Sequence, residues 1–254
     1  MIKTALIAVK KTEALLLKNF HKVRQQSINN KGGFAGLVSN VDIAAEKIIK
    51  NIIKKKYPSH NILGEELGAL KKKSDYTWLI DPLDGTHNYL MGNPIFCTAV
   101  ALIYKNEVIL SAINAPFIKE LYWGVKGKGA WLNNKRLGVS QKTNIRQSLF
   151  YYCHGYRKKD VQKALKIYAQ LKMKANDVRQ LGAASIETAW VAAGRAEGFV
   201  IPGGKPWDVA AGLLLVREAG GRATDYKNKD WNLKSKDMIC SNGKIHDKLL
   251  KLIR

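Results

Sequence analysis

The stretch Trp78-Leu79-Ile80-Asp81-Pro82-Leu83-Asp84-Gly85-Thr86 carries the strongest signal in the chain for both fold and chemistry. Its apolar residues predict a buried strand that ends in Asp81, and Pro82 favours a turn from which Asp84 emerges. Two carboxylates so close together on one turn repel each other unless a cation lies between them. Mg²⁺ prefers such oxygen ligands, so the stretch predicts a metal site. Asp-Pro and Asp-Gly are also ordinary turn formers, and this structural alternative stays open.

The residues that follow predict a place for phosphate beside this metal. Gly85-Thr86 leads into His87-Asn88-Tyr89, a pattern that can open a helix. The first N–H groups of a helix have no partner within it and bind anions such as phosphate. A metal ion next to such amides is the arrangement that phosphoryl transfer requires.

Two further segments offer carboxylates. Gly64-Glu65-Glu66 follows the apolar pair Ile62-Leu63, which predicts another acidic residue at a strand end. The segment from Trp207-Asp208 predicts a helix that ends at Gly220-Gly221, since glycine is the common residue after a helix end. Asp208 can be read either as a metal ligand or as the N-cap of that helix.

Hydrophobic periodicity predicts a β-rich half over residues 1–145 and an α/β half over residues 146–254. The first half is expected to contain an antiparallel meander over residues 96–140. In the second half, strand and helix patterns alternate. Finer expectations are a helix from Met1 to Gln26, a connector at Lys31-Gly32-Gly33 and a helix N-cap at Ser39.

Taken together, these acidic motifs resemble in order and spacing the signatures of the inositol monophosphatase family, with the bacterial SuhB-type branch most similar. Gly127-x-Gly129-Ala130-x-x-Asn133 through Val139-Ser140 matches as well. The resemblance runs from roughly residue 5 to the C-terminus, and separated motifs in the right order are specific. It implies an α+β fold, a layered αβαβα sandwich of the sugar/inositol phosphatase type, and in many members a homodimer.

The resemblance also implies roles for individual residues. The implied Mg²⁺ ligands, with Glu66 as a secondary candidate, are Glu65, Asp81, the Leu83 carbonyl, Asp84 and Asp208. Thr86 and Asp42 match the pair that activates the attacking water, and the Gly85 and Thr86 N–H groups would hold phosphate oxygens. Gly182 and Ala184, with Arg179 nearby, match the segment that lines the substrate. Helix packing is an equally open interpretation of that segment.

Departures from the family pattern leave the substrate open. His87 stands where a second threonine is usual, and Ile201 stands where many members have a substrate-binding glutamate. The main expectation is hydrolysis of inositol monophosphate or a related sugar or cyclitol phosphate, with sensitivity to lithium. Alternatives are a fructose-1,6-bisphosphate or 3′-phosphonucleotide phosphatase, or an RNA- or transcription-complex-binding protein with secondary phosphatase activity.

Composition bears on the partners of the protein and on its cellular compartment. The 254 residues include 43 Lys and Arg against 20 Asp and Glu, a formal charge of +23. Such a charge attracts polyanions, but the lysines are spread along the chain, so a nucleic-acid partner is left open. No apolar run is long enough for a membrane span and no secretion signal is present. Three widely spaced cysteines predict free thiols in a reducing cytoplasm.

Overall fold

The computed structural model describes residues 1–22, 28–30 and 37–253. The predicted connector at Lys31-Gly32-Gly33 lies outside these residues, as does the last part of the predicted first helix. Within the described ranges, no helix is both long and apolar enough to cross a bilayer. Cys97, Cys153 and Cys240 are buried and unpaired.

Helices and strands follow the predicted order closely. The helices of the described part are α1 (Ile2–Asn19), α2 (Asn40–Lys56), α3 (Thr86–Met91), α4 (Lys158–Lys172), α5 (Ala184–Ala192), α6 (Pro206–Glu218) and α7 (His246–Ile253). The strands are β1 (Ile28–Asn30), β2 (Leu37–Ser39), β3 (Asn61–Gly64), β4 (Ala69–Leu70), β5 (Tyr76–Asp84), β6 (Cys97–Tyr104), β7 (Glu107–Ala115), β8 (Glu120–Val125), β9 (Ala130–Leu132), β10 (Lys135–Arg136), β11 (Leu149–Tyr152), β12 (Asp177–Arg179), β13 (Gly198–Pro202), β14 (Arg222–Thr224) and β15 (Asp237–Ser241).

The first helix is shorter than its periodicity predicts. It ends at Asn19, where the Phe20 N–H donates to the Leu16 carbonyl and the Phe20 backbone becomes extended. This change of direction lets the Phe20 ring pack against Phe96, with 4.8 Å between the ring centroids. The prediction of a continuous helix is therefore wrong from Phe20 to Lys22, because an aromatic contact with the sheet side competes with the helix.

A large sheet of eight strands is formed by residues 61–136. Its strand order is β10-β9-β8-β7-β6-β5-β3-β4. From β5 to β10 each strand pairs antiparallel with the next, which confirms the predicted meander. Strand β3 instead runs parallel to β5, so the ends of these two strands meet at one edge of the sheet.

Alternating residues of β5 explain the layers. Trp78 and Ile80 pack with α1 and α2 on one face of the eight-stranded sheet. Leu79 packs with α5 and α6 on the other face. A second sheet, ordered β12-β11-β13-β15-β14, covers the far side of α5 and α6, and α4 and α7 cover its outer face. The order of layers is αβαβα, which confirms the predicted sandwich.

One buried histidine of the outer helix layer should make the free energy of unfolding depend on pH. His246 is fully buried, and its ring nitrogens lie 3.0 Å from the Thr224 hydroxyl and 3.0 Å from the Ser241 hydroxyl. Burial first, and then the charge of Arg222, lowers the pKa of His246 from 6.5 to about 4. The unfolded chain therefore binds one more proton than the folded protein between these pH values.

We expect the free energy of unfolding to fall as the pH drops from 6.5 toward 4, with His246 responsible for up to about 3 kcal/mol. Urea denaturation of wild type and His246→Gln at pH 7 and pH 4.5 measures this contribution. The variant, which cannot gain the proton, should lose less stability on acidification. The exposed His87→Gln variant is the control, and equal losses in all three proteins would contradict the assignment.

Candidate active site

Strand β5 passes through the acidic stretch instead of ending at its first aspartate. Asp81 pairs with Ala99 of β6 and Asp84 with Cys97, with a shift of register between them. The predicted strand end at Asp81 is wrong because Pro82 produces a β-bulge, a distortion that tolerates its missing N–H.

The bulge brings both carboxylates to one face. In a regular strand, residues three apart point to opposite faces. Cross-strand partners share a face, and the partners of Asp81 and Asp84, which are Ala99 and Cys97, both pack in the core beneath α5 and α6. The two carboxylates therefore lie on the α5/α6 side of the sheet.

Three carboxylates from separate parts of the chain converge there. One carboxylate oxygen from each of Glu65, Asp81 and Asp208 can be chosen so that the three atoms lie within 4.8 Å of one another. Glu65 follows the parallel strand β3, and its N–H donates to the carbonyl of Ile80 at 3.2 Å. Asp208 lies in the first turn of α6. The structure thus brings together three of the predicted metal ligands.

Asp81 is the most strongly perturbed of these groups. It is 2% exposed, and its Oδ1 is buried with no hydrogen-bond partner in the described part of the chain. Burial, and then the negative charges of Glu65 and Asp84, raise its pKa well above the usual value. A buried carboxylate oxygen without a donor is costly unless a cation approaches it, so the donor set fits a divalent ion that prefers oxygen ligands.

Asp84 is held by the beginning of α5. Its carboxylate accepts the N–H groups of Ala184 at 3.2 Å and Ser185 at 2.6 Å, and that of Gly85 as well. Burial raises the pKa of Asp84 to about 6, against the opposing effect of these hydrogen bonds. The Gly85 amide, which was predicted to hold phosphate, and the amide of Ala184, from the segment predicted to line the substrate, thus contact Asp84 in this structure.

Thr86 and Asp42 also come together, although 44 positions separate them. The Thr86 hydroxyl lies 3.1 Å from Asp42 Oδ1 and 2.9 Å from the Leu83 carbonyl, so its proton is shared between two acceptors. Gly85 precedes α3 with φ of 85°, and a Cβ there would lie 2.7 Å from the Ile95 carbonyl. Only glycine suits that turn.

Helix α6 begins earlier than its apolar pattern indicates. Lys205 is its N-cap, Pro206 its first residue, and Asp208 Oδ2 accepts the Lys205 N–H at 2.8 Å. The interpretation of Asp208 as the N-cap is therefore wrong: it is the acidic partner of a capping box. The predicted glycine at the far end is confirmed, since Gly220 is left-handed with φ of 89°.

Tyr156 was missed by sequence reasoning. Tyr156 is 46% exposed. Its partial burial, followed by the charges of Glu65 and Asp208, raises the pKa of its phenol, so the hydroxyl is within electrostatic reach of the acidic cluster. The N–H of Gly155 donates to the carbonyl of Pro202 at 2.8 Å and brings this segment alongside the end of β13. No local pattern marks Tyr156, because its position depends on the pairing of β11 with β13.

The remaining residues that the family resemblance associates with substrate differ in burial. Ile201 is 2% exposed and belongs to the core between the second sheet and helices α5 and α6. Gly182 has φ of 77° and lies next to Asn88, whose side chain donates to the Leu181 carbonyl at 2.6 Å. His87 is exposed on α3.

Comparison with known proteins identifies the family. Residues 1–254 match the model of the inositol monophosphatase family. The chain is 36% identical over 254 residues to a fructose-1,6-bisphosphatase/inositol-1-monophosphatase of Aquifex aeolicus, covering 100% of this chain and 95% of that protein. It is 35% identical over 256 residues to the Nus factor SuhB of Haemophilus influenzae, covering 100% and 96%.

Solved structures agree with these relatives. An IMPase of Thermotoga maritima superposes with a TM-score of 0.90 at 34% identity, covering 99% of this chain and 96% of that one. The extragenic suppressor protein SuhB of Bartonella henselae superposes with a TM-score of 0.94 at 31% identity, covering 100% and 98%. The chain belongs to the inositol monophosphatase family and is a phosphoric monoester hydrolase.

The crowding of carboxylates predicts a conflict between stability and metal binding. In the presence of a chelator, Asp81→Asn should raise the free energy of unfolding by roughly 0.5–2 kcal/mol, because it removes a buried charge that the other carboxylates repel. Added Mg²⁺ should stabilise wild type through binding to the folded state and should stabilise the variant less.

Chemical denaturation with and without Mg²⁺ measures both effects. Asp75→Asn, at an exposed position, is the control and should respond to Mg²⁺ as wild type does. A chelated Asp81→Asn protein that is less stable than wild type would contradict the repulsion argument.

Proposed function

We propose that this protein hydrolyses a phosphate monoester in a Mg²⁺-dependent reaction, with inositol monophosphate or a related sugar or cyclitol phosphate as substrate. The observation that carries the proposal is the convergence of carboxylate oxygens of Glu65, Asp81 and Asp208 within 4.8 Å of one another. One buried oxygen of Asp81 also has no hydrogen-bond partner among the described residues. Family membership and the oxygen-only donor set support magnesium as the ion.

The metal would be held by Glu65, Asp81, Asp84, Asp208 and the Leu83 carbonyl, with Glu66 as a secondary candidate. When bound, Mg²⁺ supplies charge neutralisation for the leaving oxygen and lowers the pKa of the attacking water. Asp84 would join this set by turning from the α5 amides, and the amides of Gly85 and Ala184 would then be available to phosphate oxygens.

Proton transfer is assigned to the Thr86–Asp42 pair. The buried Asp42 carboxylate accepts a hydrogen bond from the Thr86 hydroxyl, which orients that oxygen to take a proton from water and pass its own to Asp42. Attack by water forms a new P–O bond while the ester P–O bond breaks. The proton taken from water passes through Thr86 to Asp42, and the leaving alkoxide takes up a proton from solvent to give the alcohol. No group of the chain forms a covalent intermediate in this scheme.

This chain differs from the family pattern at position 201. Ile201 is buried in the core and offers no acceptor to a substrate hydroxyl, whereas the usual glutamate can accept a hydrogen bond. Gly182 and Tyr156 would lie at the edge of the proposed active site. We therefore keep fructose-1,6-bisphosphate, which the name of the Aquifex aeolicus relative includes, and a 3′-phosphonucleotide as alternative substrates.

A second candidate function is binding to RNA or a transcription complex, with phosphatase activity secondary. The formal charge of +23 and the name Nus factor SuhB of the Haemophilus influenzae relative favour it. An RNA gel shift with a strong salt dependence would support it, since such binding releases counterions.

A homodimer and a cytoplasmic location, which fits three free thiols, complete the proposal.

The decisive experiment is phosphate release across a panel of inositol, sugar and nucleotide phosphates. We expect activity to require Mg²⁺, to disappear with a chelator and to be inhibited by lithium. Asp208→Asn should lower the rate by orders of magnitude while its amide oxygen still caps α6, so the thermal transition should change little. Full activity after complete removal of divalent ions would contradict the proposal.

The proton-transfer assignment has its own test. Thr86→Ala removes the hydroxyl without removing a carboxylate, and we expect kcat to fall by roughly 10²–10⁴, the usual range for general acid–base catalysis. Thr86→Ser keeps the hydroxyl and should retain most of the rate. Steady-state kinetics at saturating Mg²⁺ measure both variants, and an unchanged kcat for Thr86→Ala would reduce Thr86 to a helix-start residue.

A further inference from the structure

Helix α2 presents a row of buried charged side chains toward the active site. Asp42, Glu46 and Lys50 follow one another at intervals of four residues, which places them on one face of the helix. All three are buried: Asp42 is 1% exposed, Glu46 0% and Lys50 7%. Burial of such groups is rare unless each has a partner, and the partner of Asp42 is the site residue Thr86.

Glu46 binds the loop that carries Glu65. Its carboxylate accepts the N–H of Glu66 at 2.7 Å and the N–H of Leu67 at 3.1 Å, so both amides after Glu65 point at one buried anion. Hydrogen bonds to an ionised acceptor are about twice as strong as neutral ones. The path of the chain just beyond Glu65 is therefore determined by a residue of α2.

Lys50 completes this arrangement. Its ammonium lies 2.8 Å from Glu46 Oε1 and donates to the Gly68 carbonyl at 2.9 Å. The lysine thus neutralises the buried carboxylate and also holds the far end of the loop. Removing only one charge of such a pair leaves the other uncompensated.

Gly64 allows the loop to approach so closely. A Cβ at this position would overlap the Glu46 carboxylate, with the nearest contact at Oε1. The glycine of the Gly64-Glu65-Glu66 motif is thus required because the backbone lies directly against Glu46.

We propose that Glu46, neutralised by Lys50, is a positioning residue that holds Glu65 within reach of Asp81 and Asp208 and thereby sets the affinity of the site for Mg²⁺. The inference rests on the proposed function, because it concerns Glu65 as a metal ligand. Like charges push Glu65 away from its neighbours, and the hydrogen bonds to the following amides oppose that movement. A loop that is already ordered does not have to be ordered when the ion binds.

A second buried glutamate offers a matched control for a purely structural role. Glu197 is 2% exposed, accepts the N–H of Leu149 at 2.7 Å and lies 3.6 Å from the ammonium of Lys142. Its chemistry resembles that of Glu46, but its partners are Leu149 of β11 in the second sheet and Lys142 in the loop before that strand. Removal of either carboxylate should reduce stability, whereas only the Glu46 variant should alter metal binding.

The test is calorimetric titration of Mg²⁺ into wild type, Glu46→Gln and Glu197→Gln without substrate. Glu46→Gln should bind Mg²⁺ roughly 10–100-fold more weakly, the usual effect of losing a partner outside the ligand shell. Its kcat at saturating Mg²⁺ should stay within a few-fold of wild type. Glu197→Gln should bind Mg²⁺ as wild type does.

A second variant tests the position of the Glu46 carboxylate without removing its charge. It also provides the test if Glu46→Gln does not fold. Gly64→Ala keeps every charge but forces the Glu46 carboxylate away from the loop, so it too should weaken Mg²⁺ binding roughly tenfold or more. Wild-type affinity in a folded Glu46→Gln or Gly64→Ala protein overturns this inference alone. Absence of Mg²⁺ binding by wild type overturns the proposed function as well.

Discussion

Repulsion among the carboxylates of Glu65, Asp81 and Asp208 is the constraint on which the site depends. Each comes from a different segment: the end of β3, the bulge of β5 and the first turn of α6. Left to themselves, three such groups would move apart or take up protons. They stay together because two packed sheets and a helix layer hold their backbones. Holding like charges together lowers the stability of the fold, a cost that is general for functional sites.

The central helix layer links the two sheets to this chemistry. Helices α5 and α6 share a core with both sheets, and both begin at the acidic cluster. The amides at the beginning of α5 hold Asp84, while the capping box of α6 orients Asp208. Helix α2 acts from the opposite face through Asp42 and Glu46. Packing of the layers therefore also sets the relative positions of the charged groups.

A different part of the fold carries Ile201 and Tyr156. Strand β13 carries Ile201 on the side that faces α5 and α6, and the segment after β11 brings Tyr156 to the acidic cluster. Neither residue belongs to a metal-binding motif. The chain thus retains the family's acidic motifs, whereas Ile201, at the position where the family resemblance implies a substrate-binding glutamate, is buried in the core.

The division of the chain at residue 145 stays a prediction, since one core spans residues on both sides of it. Periodicity alone was enough for the meander and for most helices, whereas the αβαβα order came from the family resemblance. Strong local signals exist for those features, because a strand alternates and a helix repeats every 3.6 residues. The acidic motifs likewise indicated the carboxylates of Glu65, Asp81 and Asp208, which the structure brings together.

Only the tertiary structure revealed the bulge at Pro82, the early end of α1 and the positions of Tyr156 and Glu46. Each of these depends on a partner distant in sequence: β6 for the bulge, Phe96 for the end of α1, β13 for Tyr156, and the loop of Glu66 for Glu46. A glutamate on an amphipathic helix has no local mark that distinguishes a solvated charge from a buried one. By itself the sequence determined which groups are available for chemistry, and the packing of distant segments decided which of them meet.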